Sequence, residues 1–123
     1  SIATDEIVIG DNDTLGAIVA TAINADLLIL LSDIDGLFTA DPHNDKNAVL
    51  LNRVEEITPD IEKMTGGAGS RLGTGGMTTK LNAAKMTTDA GIDMVIANGK
   101  EPSLLYEIVN GESIGTRFVA KRQ

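Results

Sequence analysis

The sequence predicts an α/β fold with a mainly parallel sheet covered on both faces, and three observations point there. Apolar strand-sized runs alternate with helix-like segments along the whole chain. One of these runs, Leu27 to Leu31, is apolar at every position, as in a strand buried on both faces. Gly, Asp and Asn cluster where strands give way to helices, which is the punctuation of βαβ units.

In chain order, Ile7 to Ile9 reads as a short strand ended by Gly10. Asp11, Asn12 and Asp13 are N-cap residue types, and the spacing predicts a helix from Asp13 to Asn24 that Asp26 breaks. The apolar strand Leu27 to Leu31 leads into the turn Ser32-Asp33-Ile34-Asp35-Gly36. Leu37 to Thr39 and a polar loop from Ala40 to Ala48 follow, with Pro42 and the sole histidine, His43, in that loop. Val49 to Ile57 reads as a strand, and Pro59 opens a short helix as a first-turn proline. Six of the eleven residues from Gly66 to Gly76 are glycine. Met77 to Ala90 reads as a helix closed by Gly91, Met94 to Ala97 as a strand, Glu101 to Val109 as a helix and Thr116 to Ala120 as a last strand. No internal repeat or linker divides the 123 residues, so one domain or a piece of one is expected.

Composition removes several chemistries. With no cysteine there is no disulfide, thiolate metal site or thiol nucleophile, which fits a cytoplasmic setting. One histidine cannot build a His-rich zinc site, and His43 reads as an exposed loop residue without chemistry. A net charge of -8 and 2% aromatic residues argue against nucleic acid as a partner. No apolar run approaches the ~20 residues of a membrane-spanning helix. Charge is uneven: residues 1–62 hold 13 acidic and 2 basic side chains, residues 63–123 hold 5 and 8. The second half therefore hints at an anionic ligand, although scattered surface lysines would give the same tally. Asp11-Asn12-Asp13 with Gly16 starts like an EF-hand loop, but its twelfth position is Ala22, so calcium is excluded. Neither GxxxxGK[ST] nor an in-register GxGxxG occurs.

Three segments carry ligand-binding character. Gly73-Thr74-Gly75-Gly76-Met77-Thr78-Thr79-Lys80 combines a glycine-rich loop, hydroxyls and a helix start, with Lys80 tilted back toward any phosphate bound there. A flexible hairpin before an ordinary helix is the plain alternative. Ser32-Asp33-Ile34-Asp35-Gly36 lies past the carboxyl end of the buried strand, where open α/β sheets bind ligands, and Asp33 or Asp35 can meet a nucleotide or its metal. Gly10-Asp11-Asn12-Asp13 offers Asn12 as a donor to a polar substrate and Asp13 as an anchor for a lysine. Turn and N-cap duties account for these two segments equally well.

Together with Leu37-Phe38-Thr39-Ala40-Asp41-Pro42 and Ala97-Asn98-Gly99, the order and spacing of these segments resemble the amino acid kinase family. The likeness spans nearly the whole chain. The GDND and TADP forms point to those members that phosphorylate glutamate. The resemblance implies a three-layer αβα sandwich and transfer of the γ-phosphoryl of ATP, with Mg2+, to the γ-carboxylate of L-glutamate, the first step of proline biosynthesis. It implies that Asn12 contacts glutamate and that Asp13 orients catalytic lysines. It further implies that Ser32, Asp33, Thr74, Gly75, Gly76, Met77, Thr78, Thr79 and Lys80 bind ATP, with Lys80 also stabilising the transferring phosphoryl group. No residue is assigned as a direct metal ligand. A carboxylate nucleophile is already ionised at neutral pH, so the scarcity of histidine is no obstacle.

Residues 1–123 would then be the nucleotide-binding half of one kinase domain, with no second domain. The family's first strand, its Gly-rich loop with another phosphate-binding lysine, and most of the acceptor site have no counterpart here. The expectation is a cytoplasmic, homo-oligomeric enzyme whose isolated 123-residue part is inactive. Aspartate, acetylglutamate, carbamate or a nucleoside monophosphate as acceptor, or a nucleotide-binding module without turnover, remain the alternatives.

Overall fold

The computed structural model describes residues 5–10, 12–40, 42–64, 76–100 and 103–121. Its elements are β1 (Glu6–Ile9), α1 (Asp13–Ala22), β2 (Leu27–Ser32), β3 (Arg53–Val54), α2 (Pro59–Met64), α3 (Gly76–Asp89), β4 (Asp93–Asn98), α4 (Leu104–Val109) and β5 (Thr116–Phe118). Among the described residues the five strands form one sheet in the order β1-β2-β4-β5-β3. β1, β2 and β4 are mutually parallel, in the register Val8↔Ile29↔Val95.

β2 explains the layering. Its side chains alternate between two faces, and Leu27 to Leu30 are all buried. Leu28 and Leu30 join Met94 and Ile96 of β4 beneath α1 and α3. Leu27 and Ile29 join Val95 and Ala97 beneath Ile108 of α4. The apolar run is thus a strand with a helix layer on each side, as its composition predicts.

α1 and α3 lie side by side, and their shared surface is built from Ala17, Ala20, Ala83 and Ala84, all within 2% of full burial. Small residues let two helices approach closely over one sheet face. Gly16 serves the same end against β1, because a Cβ there would stand 2.7 Å from Ile9 Cγ1. Thr87 and Thr88 are buried in the last turn of α3 without penalty, since their hydroxyls donate back to Ala83 and Ala84 carbonyls. An ion pair between Lys85 and Glu62 ties α2 to α3.

Two boundaries differ from the sequence reading, while the closure of α3 by Gly91 matches it. α1 stops at Ala22, before Asp26, because Asn24 takes a left-handed conformation (φ 53°) and Ala25 N–H donates to Ala20 O at 2.9 Å. Gly91 (φ 85°) closes α3 in the same way, with Ile92 N–H donating to Thr87 O. The strand expected over Val49 to Ile57 is divided. Its first part pairs with Leu37–Thr39 through Leu51 N–H to Leu37 O and Thr39 N–H to Val49 O, and only Arg53–Val54 pairs with β5.

β5 runs antiparallel to β4. The connection carries only the six-residue α4, about 9 Å of helix, so it does not return the chain to the opposite end of the sheet. β5 therefore begins where β4 ends, with Thr116 opposite Ile96. Asp93 fastens the far end, accepting from Arg117 Nη1 at 2.8 Å and from Ala120 N–H at 2.7 Å.

Candidate functional site

Because β1, β2 and β4 are parallel, their carboxyl ends present three loops at one end of the sheet, carrying Gly10 and Asn12, Ser32 to Leu37, and Asn98 to Lys100. This is where an open α/β sheet binds ligands. α3 starts at the same end and brings Lys80 with it.

The first feature is an ion pair. Lys80 Nζ lies 3.0 Å from Asp13 Oδ2, with the side chains 14% and 9% exposed. Asp13 is the first residue of α1, where the helix dipole favours a carboxylate. The alanine contact between α1 and α3 brings the lysine within reach of it. An ammonium has three donors, so a carboxylate on one side holds the group in place and leaves donors for an anion on another. Asn12 is the N-cap of α1, its Oδ1 accepting from Leu15 N–H at 3.0 Å, and its side-chain amide donor is not needed for that bond.

The second feature is a cleft of about 290 Å³ between the β2 loop and α3. Ser32, Asp33 and Lys80 give it a polar side, while Ile34, Leu37, Phe38, Met64 and Met77 give it an apolar one. Gly36, Ala40, Pro42, His43 and Gly76 complete the wall. An apolar slot beside a cation suits a ligand with a flat base at one end and an anion at the other.

The β2 loop is held from behind. Ser32 Oγ accepts from Ile34 N–H at 3.3 Å and donates to Asp33 Oδ1 at 3.4 Å. Gly99 N–H donates to Ser32 O at 2.8 Å, and Asn98 Nδ2 donates to Asp35 Oδ1 at 3.1 Å. Leu37 N–H donates to the buried hydroxyl of Thr116 at 2.8 Å.

Of the residues singled out from the sequence, Ser32, Asp33, Gly76, Met77 and Lys80 line the cleft, and Asp13 reaches it through Lys80. Asn12 stands at the adjoining loop, and Thr78 and Thr79 lie in the first turn of α3 outside the cleft lining. Thr74 and Gly75 lie outside the described residues. Sequence reasoning overlooked the apolar wall apart from Met77. Ile34, Leu37 and Phe38 follow β2 directly, so their position past a buried strand was an available signal. Met64 comes from α2 and carries no local one. His43, set aside as an exposed loop residue, is exposed and also borders the cleft. No group of three or more His, Cys, Asp or Glu side chains able to hold a metal occurs among the described residues. Asp33 is the exposed carboxylate beside the cleft.

Residues 1–98 match the amino acid kinase family, and the chain belongs to it. Among curated relatives, it is 59% identical over 113 residues to the glutamate 5-kinase of Clostridium perfringens, covering 92% of this chain and 42% of that protein. It is 53% identical over 120 residues to the glutamate 5-kinase of Clostridium tetani, covering 98% of this chain and 45% of that protein. The chain thus spans less than half the length of these relatives. Among solved structures, the uridylate kinase of Archaeoglobus fulgidus superposes with a TM-score of 0.63 at 30% identity, over 87% of this chain and 46% of that one. A carbamate kinase from Giardia lamblia superposes with a TM-score of 0.68 at 24% identity, over 90% and 36% of the two chains, a likeness of fold.

Proposed function

We propose that this chain is the nucleotide-binding half of a glutamate 5-kinase, which transfers the γ-phosphoryl of ATP to the γ-carboxylate of L-glutamate. The observation that carries the reading is the Asp13–Lys80 pair, whose lysine lines a mainly apolar cleft with one polar side. The high identity to glutamate 5-kinases favours glutamate over aspartate, acetylglutamate, carbamate or a nucleoside monophosphate.

In this reading the base of ATP occupies the slot formed by Ile34, Leu37, Phe38 and Met77, and its phosphates extend toward Lys80. Ser32 and Asp33 meet its polar parts, and Thr74 to Thr79 supply backbone and hydroxyl donors around the phosphates. A carboxylate oxygen of glutamate, already ionised, attacks the γ-phosphorus in line, and the bond to the β–γ bridging oxygen breaks to release ADP. The step is mainly positioning and charge neutralisation. Lys80, aimed by Asp13, meets the negative charge on the transferring group, and Asn12 donates to the acceptor. Mg2+ bound with the nucleotide would neutralise further phosphate charge. A cytoplasmic homo-oligomer accords with this reading, and no helix among the described residues is long and apolar enough to cross a membrane.

The test is a hydroxylamine trap for acyl phosphate, run on the intact protein with Mg-ATP. Hydroxamate that forms with L-glutamate and not with aspartate or acetylglutamate is the expected result. Preferential turnover of another acceptor overturns the glutamate assignment, and ATP binding without turnover of any acceptor favours a non-catalytic module. The 123-residue chain by itself is expected to give no hydroxamate.

A further inference from the structure

We infer that Thr116, which does not line the cleft, is a positioning residue for the nucleotide: its hydroxyl clamps the β2 loop from behind. This inference rests on the proposed nucleotide reading and adds to it a residue 79 positions away from its target.

Thr116 is fully buried, and its hydroxyl makes two bonds to backbone. It accepts from Leu37 N–H at 2.8 Å and donates to Leu51 O at 2.5 Å. A hydroxyl is the one small side-chain group that can satisfy an amide and a carbonyl at once. Leu37 and Leu51 lie on the two neighbouring segments that also exchange Leu51 N–H to Leu37 O at 2.8 Å. Thr116 therefore closes a three-membered knot joining β5, the exit of the β2 loop and the segment before β3.

The surroundings show how closely the knot is drawn. Gly36 has φ 154°, and a Cβ there would stand 2.5 Å from Thr116 Oγ1 and 3.1 Å from Thr116 N. Gly115 has φ 67°, and a Cβ there would stand 2.0 Å from Ile96 O. Gly36 thus lets the β2 loop approach the backbone of β5 with the threonine hydroxyl between them, while Gly115 lets the start of β5 press against the end of β4. On the cleft side, the segment held this way supplies Ile34, Gly36, Leu37 and Phe38 to the wall. At the other end of the loop, Ser32 O is held by Gly99 N–H, and Asp35 by Asn98. The loop is pinned at both ends, and Thr116 is its only buried side-chain pin among the described residues.

A valine at this position keeps the shape and deletes the hydroxyl, leaving Leu37 N–H buried without its acceptor. The loop must then shift to find water, and the apolar slot shifts with it. The acceptor loop at Asn12 follows β1 and is not touched by the knot. The expected signature is therefore split: weaker nucleotide binding with an unchanged KM for glutamate.

The experiment titrates Mg-ATP calorimetrically into the intact protein, native and with Thr116→Val or Thr116→Ser, and measures KM for ATP and glutamate in each. The inference expects Thr116→Val to weaken Mg-ATP about tenfold, Thr116→Ser to stay within about twofold of native, and KM for glutamate to hold in both. Native affinity in Thr116→Val, even with a lowered melting temperature, overturns it and makes the hydroxyl merely structural. Loss of affinity in Thr116→Ser equal to that in Thr116→Val also overturns it, because the methyl group then matters and the hydroxyl does not. Should Thr116→Val fail to fold, Thr116→Ser with Asn98→Ala decides: native affinity in the former and weakened Mg-ATP with unchanged KM for glutamate in the latter sustain the clamp, and any other pattern refutes it. A native protein that binds no Mg-ATP overturns the nucleotide reading itself, an outcome distinct from all of these.

Discussion

Lys80 and Asp13 are 67 residues apart in sequence and 3.0 Å apart in space, joined across two helices that touch through alanines. The two partners are not equivalent. Asp13 sits at a helix N-terminus that favours its charge without the lysine. Among the described residues, Lys80 is paired with that carboxylate, which aims it.

Removing each partner should therefore separate stability from catalysis. Lys80→Ala is expected to cost about 1 kcal/mol of stability while lowering phosphoryl transfer about 100- to 1,000-fold. Asp13→Ala leaves a cation with 14% exposure unpaired and should cost more, about 2 kcal/mol, with a smaller loss of rate. Chemical denaturation and the hydroxylamine assay on both variants give the comparison. Full activity in Lys80→Ala would remove the lysine from the mechanism.

Asn12 has two duties that substitution can tell apart. Asn12→Ala loses the bond to Leu15 N–H and is expected to destabilise by about 1 kcal/mol. Asn12→Ser keeps a capping oxygen, so stability should stay near native. Both lose the amide donor, and both should raise KM for glutamate while leaving KM for ATP alone. A native glutamate KM in Asn12→Ser would reduce Asn12 to a helix cap.

Glycines with positive φ should rank by what a Cβ would strike. Gly91→Ala meets nothing within 4 Å and should cost only the left-handed backbone strain, about 1 kcal/mol. Gly36→Ala presses on a hydroxyl and a backbone nitrogen and should cost about 2–3 kcal/mol. Gly115→Ala collides with a backbone carbonyl held in the sheet and should be the worst of the three. Thermal unfolding of the three variants checks the order.

Alkaline pH should expose one surface pair. Hydrogen bonding to Asp89, reinforced by that carboxylate's charge, raises the Lys121 ammonium above the usual 10.5. A raised folded-state value means the contribution is complete below 10.5 and is lost as pH rises through the folded value. Lys121→Met should therefore be slightly less stable than native near neutral pH, with the difference vanishing at the alkaline end. A difference that grows with pH would contradict the pairing.

Much of this molecule was legible in its residues. The run Leu27 to Leu31 announced a strand buried on both faces, because a segment without a polar position has no side to offer water. The Gly, Asp and Asn residues at Gly10 and Asn12 and from Ser32 to Gly36 marked the ends of β1 and β2, and both lie at one end of the sheet. Parallel strands put their carboxyl ends together, so local order in the sequence became proximity in space.

What the tertiary structure alone decided is how those segments meet. The Asp13–Lys80 bond depends on the close approach of α1 and α3, a property of packed surfaces that no single helix displays. The reversal of β5 depends on the reach of a short connection, and the division of the expected Val49–Ile57 strand depends on where β5 docks. The Thr116 knot joins three segments by two hydrogen bonds at long range. Periodicity and turn chemistry act over a few residues and so write themselves into the sequence. Contacts such as these pair groups dozens of residues apart, and their partners appear only when the sheet brings them together.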